Sequence, residues 1–346
     1  MNPFLGVLFH AIGGFAAGSF YLPYSRVRRW PWEVYWLIGG VFAWLIVPLF
    51  IVLLIYKDPF SMMAEVPGHM MRLPYLFGLL WGIGGLTFGL TMRYLGLSLG
   101  MAVALGLTAI FGTLIPPIIE GRFVDLIQLP SGQITLIGVL MGVAGTAIVG
   151  RAGMLKDREL TSENVNHALK EYNYPKGMIV AIISGLLSAC FAFGIASGKE
   201  VVALTSPQAA HPLFANSFLF AVIMLGGLTT NFVWCGTQIV RKKSIRQITN
   251  LDTTQSTINL FLCFLAGTTW YFQFFFYGMG TTQMGEFDFA SWSLHMTFII
   301  LFSNMWGWLI GEWKGTSKKT RTTVIFGVLA LIGSTIVIGW GNSIQH

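Results

Sequence analysis

Ten long apolar runs, separated by short polar breaks, make up most of this chain. They cover roughly residues 3–24, 33–56, 73–94, 97–119, 132–151, 176–198, 212–240, 256–279, 288–311 and 322–341. Crossing the hydrocarbon core of a bilayer as an α-helix takes about 20 residues. The pattern therefore predicts an all-α integral membrane protein with ten transmembrane helices. Gly and Pro within the runs do not count against helix, because neighbouring helices satisfy the backbone groups they free.

The polar breaks predict the orientation. With the N-terminus outside, 17 of the 21 Lys and Arg residues fall in inner loops, and only Lys57, Arg72, Arg122 and Lys199 fall outside. Cytoplasmic loops concentrate Lys and Arg, so both termini are expected on the outer side. The longest polar segment, Arg151 to Lys176, is an inner loop that separates five runs from five. Within it, Thr161-Ser-Glu-Asn-Val-Asn-His reads as the start of a short surface helix.

The two groups of five resemble each other. They occupy residues 1–155 and 176–346, joined by a cytoplasmic linker at 156–175. Gly14-Phe-Ala-Ala-Gly-Ser-Phe20 in the first matches Gly185-Leu-Leu-Ser-Ala-Cys-Phe191 in the second. In each, an acidic residue (Glu120, Glu312) follows the fourth run, and a glycine-punctuated run closes the unit. Five is odd, so two such units in one chain point opposite ways. An inverted-topology repeat of this kind is the architecture of secondary transporters, with the substrate site near the midplane between the repeats.

Composition narrows the class. The chain is 54% hydrophobic and 10% charged, where a soluble domain carries roughly 25% charged residues. Its net charge of +7 comes from short basic clusters between apolar runs, which read as topology signals and not as a nucleic-acid surface. Met1-Asn-Pro-Phe lacks the basic start of a secretory signal, so the first helix is expected to remain. Cys190, Cys235 and Cys263 lie inside apolar runs without ligand spacing and are expected to be small core residues. Gly82-Ile-Gly-Gly-Leu-Thr-Phe-Gly lies in a membrane run with no strand before it, so it is not a dinucleotide fingerprint. There is no P-loop and no metal-ligand spacing. Neither an enzyme nor an ATP-driven pump is expected, and no cofactor.

Several longer stretches carry a resemblance. They are His10 with Gly13; Phe20-Tyr-x-Pro23; Trp30-x-Trp-Glu33; Trp81-Gly-Ile-Gly84; and Gly89-Leu-Thr-Met-Arg-Tyr-Leu-Gly96. Further along are Gly112-Thr-Leu-x-x-Pro-Ile-Ile119, Arg151-Ala-Gly153, Trp270-Tyr-x-Gln-Phe-Phe-Phe-Tyr277, Asp288-x-x-Ser-Trp-x-Leu-His-Met296 and Glu312-Trp313. On these the chain resembles the L-rhamnose–proton symporters of the drug/metabolite transporter superfamily. The resemblance implies ten helices, a bacterial inner-membrane location, and uptake of L-rhamnose or a related deoxyhexose coupled to proton entry. Its partners would be that sugar, protons and membrane lipids. In span three the family pattern carries Asn-x-Asn-Tyr. This chain has Gly85-Leu-Thr-Phe88 there, which removes two amides able to bind hydroxyls.

A proton-coupled sugar carrier needs a group that exchanges protons and a pocket for a neutral sugar. For the first, Asp288 and His295 are the candidates, spaced with Trp292 at i, i+4, i+7 along one helical face beside Ser291. A desolvated carboxylate holds its proton to higher pH, and imidazole titrates near neutrality. The competing reading makes Asp288 a cap at the helix start and the histidines satisfied buried side chains. For the second, Trp270, Gln273, Phe274 and Tyr277 share one face of span eight. Aromatic rings pack on a sugar's C–H face, and Gln273 both donates and accepts hydrogen bonds. The competing reading is an aromatic lipid face. His10, Tyr21, Trp81, Ser291 and Trp292 complete the expected substrate-binding set. Glu286 reads as a vestibule charge, and Arg93, Glu120 and Glu312 as interfacial anchors or gating pairs. Two rival functions stand beside symport. One is an exporter or exchanger of another small metabolite. A cationic-drug exporter, however, needs an acid deep in span one, where this chain has only His10. The other, a polytopic membrane enzyme or sensor, calls for an acid–histidine cluster or a soluble domain, and the chain has neither.

Overall fold

A computed structural model of the chain describes residues 2–95, 97–121, 123–160, 173–244, 253–285, 290–311 and 313–344. Long helices dominate, and the only extended pairing among the described residues is an isolated bridge between Tyr56 and Ala209. The helices are α1 (Pro3–Ser19), α2 (Trp32–Ile55), α3 (Gly68–Leu95), α4 (Leu97–Ile119) and α5 (Pro130–Leu160). They continue with α6 (Tyr174–Ser197), α7 (Ser217–Arg241), α8 (Thr253–Thr281), α9 (Ala290–Leu309) and α10 (Lys318–Ser343).

Local chemistry sets where these helices begin. Asn2 accepts a hydrogen bond from the Leu5 N–H, and Asn173 from that of Lys176, each with a proline at the helix start. A capping oxygen satisfies a donor the helix cannot, and proline loses nothing at that position. Ser317 caps α10 in the same way. In α2 a π-helical turn, Phe42–Ile46, precedes Pro48. Proline has no N–H and its ring crowds the preceding turn, and a π turn absorbs that mismatch.

Among the described residues, eight helices are long and apolar enough to cross a membrane. The other two of the ten expected spans, α4 and α9, are helical in the structure but are not among those eight. The chain is thus an all-helical, multi-pass membrane protein. α1 packs on α8 and α9, and α6 packs on α3 and α4. α2 packs on α7 and α8, and α7 on α2 and α3. α4 meets α5, α9 meets α10, and α5 lies along α10.

Polar contacts between helix ends gather into two sets. One joins Asn2 to Gln283, Glu120 to Lys199, and Tyr56 to Ala215 and Phe218. The other joins Arg28 to Asn259, Glu33 to Lys242 and Ser244, and Glu159 to Ser317 and Thr320. All the residues in the first set belong to ends that the charge pattern assigns outside. All those in the second belong to ends assigned inside. The linker stretch expected to start a surface helix lies outside the described residues.

Candidate functional site

The largest buried apolar cluster draws on α2, α4, α6, α7, α8 and α9, and two histidines lie against its Tyr277. His10 on α1 and His295 on α9 are both fully buried, with ring centroids 6.2 Å apart. Tyr277 of α8 touches both, at 5.3 Å from His10 and 5.2 Å from His295. Two glycines make the room. A Cβ on Gly280 would lie 2.7 Å from the His10 ring, and one on Gly13 would lie 3.2 Å from His295 Cε1.

None of the four imidazole nitrogens makes a well-formed hydrogen bond among the described residues, nor does the buried Ser291 hydroxyl. Leaving a buried donor or acceptor unpaired costs about 1–3 kcal/mol. Folds retain such groups where something else, such as a proton, a water or a ligand hydroxyl, is to be bound.

An aromatic layer lies against this pair. Trp81 of α3 packs on Trp270 at 5.6 Å and on Phe191 at 5.1 Å. Phe191 of α6 stacks on Trp292 at 5.9 Å, and Trp270 packs on Phe274 at 4.9 Å. Trp44, on the π-helical turn of α2, meets Trp270 edge-on at 5.5 Å. The Trp292 indole donates to the Thr108 carbonyl at 3.1 Å, which holds the ring across α4. Gln273 is buried on the same helix as Trp270 and Tyr277.

A cavity of about 200 Å³ opens beside this layer. Tyr277 and Trp292 line its deep end, and Ala192 and Ile195 of α6 form an apolar wall. Its outer rim carries Glu120, Lys199, Asn216, Thr281 and Thr282. Glu120 and Lys199 form an ion pair at 2.5 Å between the end of α4 and the start of the short helix that follows α6. A second, smaller space of about 10 Å³ is lined by Phe20, Tyr24, Trp36, Gly40, Ala43, Trp44 and Trp270.

The structure brings together His10, Trp81, Trp270, Tyr277, Ser291, Trp292 and His295, with Gln273 buried alongside. Tyr21 stands apart. It is 51% exposed and packs edge-on to Phe20 and Tyr24, on the side away from the cavity. Asp288 and Glu286 lie outside the described residues, as does Glu312. Sequence reasoning did not single out Lys199, Asn216, Thr281 or Trp44. The first three sit at helix ends far apart in the chain. The only local signal was Asn216 ahead of an apolar run, which reads as an ordinary helix cap.

A carboxylate on the other face has a different job. Glu159 accepts hydrogen bonds from the Ser317 N–H and hydroxyl and from the Thr320 hydroxyl. These bonds, led by those from Ser317, hold its pKa below the usual 4.5. They tie the end of α5 to the start of α10. Among the described residues no group of three or more His, Cys, Asp and Glu side chains is placed to hold a metal ion.

The model of the family described as "L-rhamnose-proton symport protein" matches residues 2–344. The L-rhamnose-proton symporter of Yersinia pestis (strain Pestoides F) is 35% identical over 340 residues, covering 97% of each chain. That of Cronobacter sakazakii (strain ATCC BAA-894) is likewise 35% identical over 340 residues and 97% of each chain.

Proposed function

This chain belongs to the L-rhamnose-proton symport protein family, and from that premise we propose that it imports L-rhamnose together with protons by alternating access. It is a transporter and not an enzyme. The observation that carries the site assignment is the unpartnered His10–His295 pair meeting Tyr277, which lines the larger cavity. A 6-deoxy sugar has an apolar face and methyl group as well as hydroxyls. Trp81, Trp270, Tyr277 and Trp292 offer rings for the former, and His10, Gln273 and Ser291 offer polar atoms for the latter.

His295 and Asp288 exchange the coupling proton. Its binding favours the conformation that closes over sugar, which is a population shift between outward and inward states. Tyr21, away from the cavity, fits the inward exit path better than the pocket itself.

We read the architecture as ten spans in two inverted repeats, 1–155 and 176–346, of the drug/metabolite transporter type, joined by a cytoplasmic linker at 156–175. The helix pairings support this. Exchanging each helix for the one five places on turns α1–α8 into α6–α3, α1–α9 into α6–α4, α2–α8 into α7–α3 and α4–α5 into α9–α10, while α2–α7 and α5–α10 map onto themselves. Every one of these pairs is packed in the structure. The basic loops support a bacterial inner-membrane orientation with both termini periplasmic.

Asp288→Asn tests the proton assignment in sealed vesicles. It is expected to abolish accumulation of L-rhamnose against its gradient while leaving sugar-for-sugar exchange. A variant that still concentrates sugar in response to a pH gradient would remove Asp288 from coupling.

A further inference from the structure

We propose that Asn216 is a specificity-determining residue that reads one hydroxyl of the sugar at the outer wall of the cavity. The proposal rests on the rhamnose-import reading above and adds a contact that reading does not use. Asn216 stands at the N-cap position of α7, where an asparagine ordinarily accepts from a backbone N–H of the first turn. It makes no such bond, and its backbone is already helical, with φ −86° and ψ −5°. The side chain reaches instead to the end of α8. There its Nδ2 donates to the Gly278 carbonyl at 3.3 Å and to Thr281 Oγ1 at 3.0 Å. Thr281 is itself held, since its hydroxyl also donates to the Gly278 carbonyl at 2.8 Å.

The two acceptors lie 2.8 Å from each other, on one side of the Asn216 NH2 group, and together they orient the amide. Its carbonyl oxygen has no partner among the described residues, and the residue lines the cavity. An amide locked by its donors presents one acceptor of fixed direction, and only a hydroxyl or N–H satisfies it. Across the rim, Lys199 and Glu120 supply donors and an acceptor to the same space. A pyranose seated on Trp292 and Tyr277 would have its hydroxyl edge between these two polar walls. Sites built to hydrogen-bond a substrate hydroxyl discriminate against analogues that lack it, because the site's own group is left unpaired.

The test is equilibrium binding to the purified full-length protein, using L-rhamnose and its 2-, 3- and 4-deoxy derivatives. In the wild type one deoxy derivative is expected to bind about tenfold more weakly than L-rhamnose by loss of this bond. In Asn216→Ala, L-rhamnose is expected to fall to the level of that derivative, whose own affinity stays unchanged. Thr281→Val keeps the asparagine but removes one acceptor that orients it, and the same discrimination is expected to shrink. It serves as the second variant if Asn216→Ala does not fold, which its melting temperature reports. Equal weakening of every sugar in both variants, or no weakening of any, would overturn the role of Asn216. A wild type that binds no L-rhamnose would overturn the import reading, and this proposal with it.

Discussion

At the scale of single residues, the site is a problem of space and unpaired polarity. His10 and His295 are large polar rings in the interior, and each lies against a glycine that has no Cβ to spare. Gly280→Ala would drive a methyl group to 2.7 Å from the His10 ring. The ring must then move, at a cost of about 1–3 kcal/mol for an overpacked core, and thermal unfolding of the purified protein is expected to shift down accordingly. Unchanged melting and unchanged uptake would show that the histidine pocket is looser than the packing implies. Gln273 is buried beside the aromatic rings, so Gln273→Ala is expected to raise the half-saturation concentration for sugar while folded yield is kept. Unchanged sugar affinity would take Gln273 out of the pocket.

Much of this neighbourhood was legible in the sequence, because helical spacing alone puts Trp270, Gln273 and Tyr277 on one face and Ser291, Trp292 and His295 on another. The rim was not. Lys199, Asn216 and Thr281 meet only through tertiary contact, and nothing local distinguishes an asparagine that caps its helix from one that abandons it. Tyr21 shows the converse limit. Its place on the first helix was readable, but which end of the path it faces depends on how that helix packs.

At the scale of elements, helix ends do more than terminate helices. Glu33 accepts from Ser244 at 2.8 Å and lies 3.4 Å from Lys242, which ties the start of α2 to the end of α7. Glu159 ties α5 to α10 by sitting at the positive N-terminal end of α10 and sharing Ser317 with the helix cap. Because bonding holds the Glu159 pKa below 4.5, its contribution is fully present above that value and is lost as pH falls through the lower, folded-state pKa. Ser317→Ala removes the cap as well, and is expected to cost about 0.5–2 kcal/mol near neutral pH. The gap between variant and wild type should narrow on acidification below pH 4.5. A gap independent of pH would leave the cap as the whole effect. The helices themselves were largely readable from the apolar runs. The π turn in α2 was not. Pro48 announced a disturbance, but only packing decides that it is absorbed one turn earlier and places Trp44 against Trp270.

At the scale of the whole molecule, the apolar runs predict a multi-pass helical membrane protein, and eight helices among the described residues are long and apolar enough to cross a membrane. The larger cavity is lined by Glu120, Lys199 and Asn216, and the smaller space by Tyr24, Trp36, Trp44 and Trp270. A carrier moves its cargo when a ligand and an ion bind one of its states better than the other.

The measurement that tests this most directly is made on wild-type protein in sealed proteoliposomes with a weakly buffered exterior. Adding L-rhamnose outside is expected to make the medium alkaline as sugar enters, and an imposed inward proton gradient is expected to concentrate the sugar inside. Uptake of L-rhamnose with no movement of protons, and no response to the pH gradient, would contradict proton-coupled import.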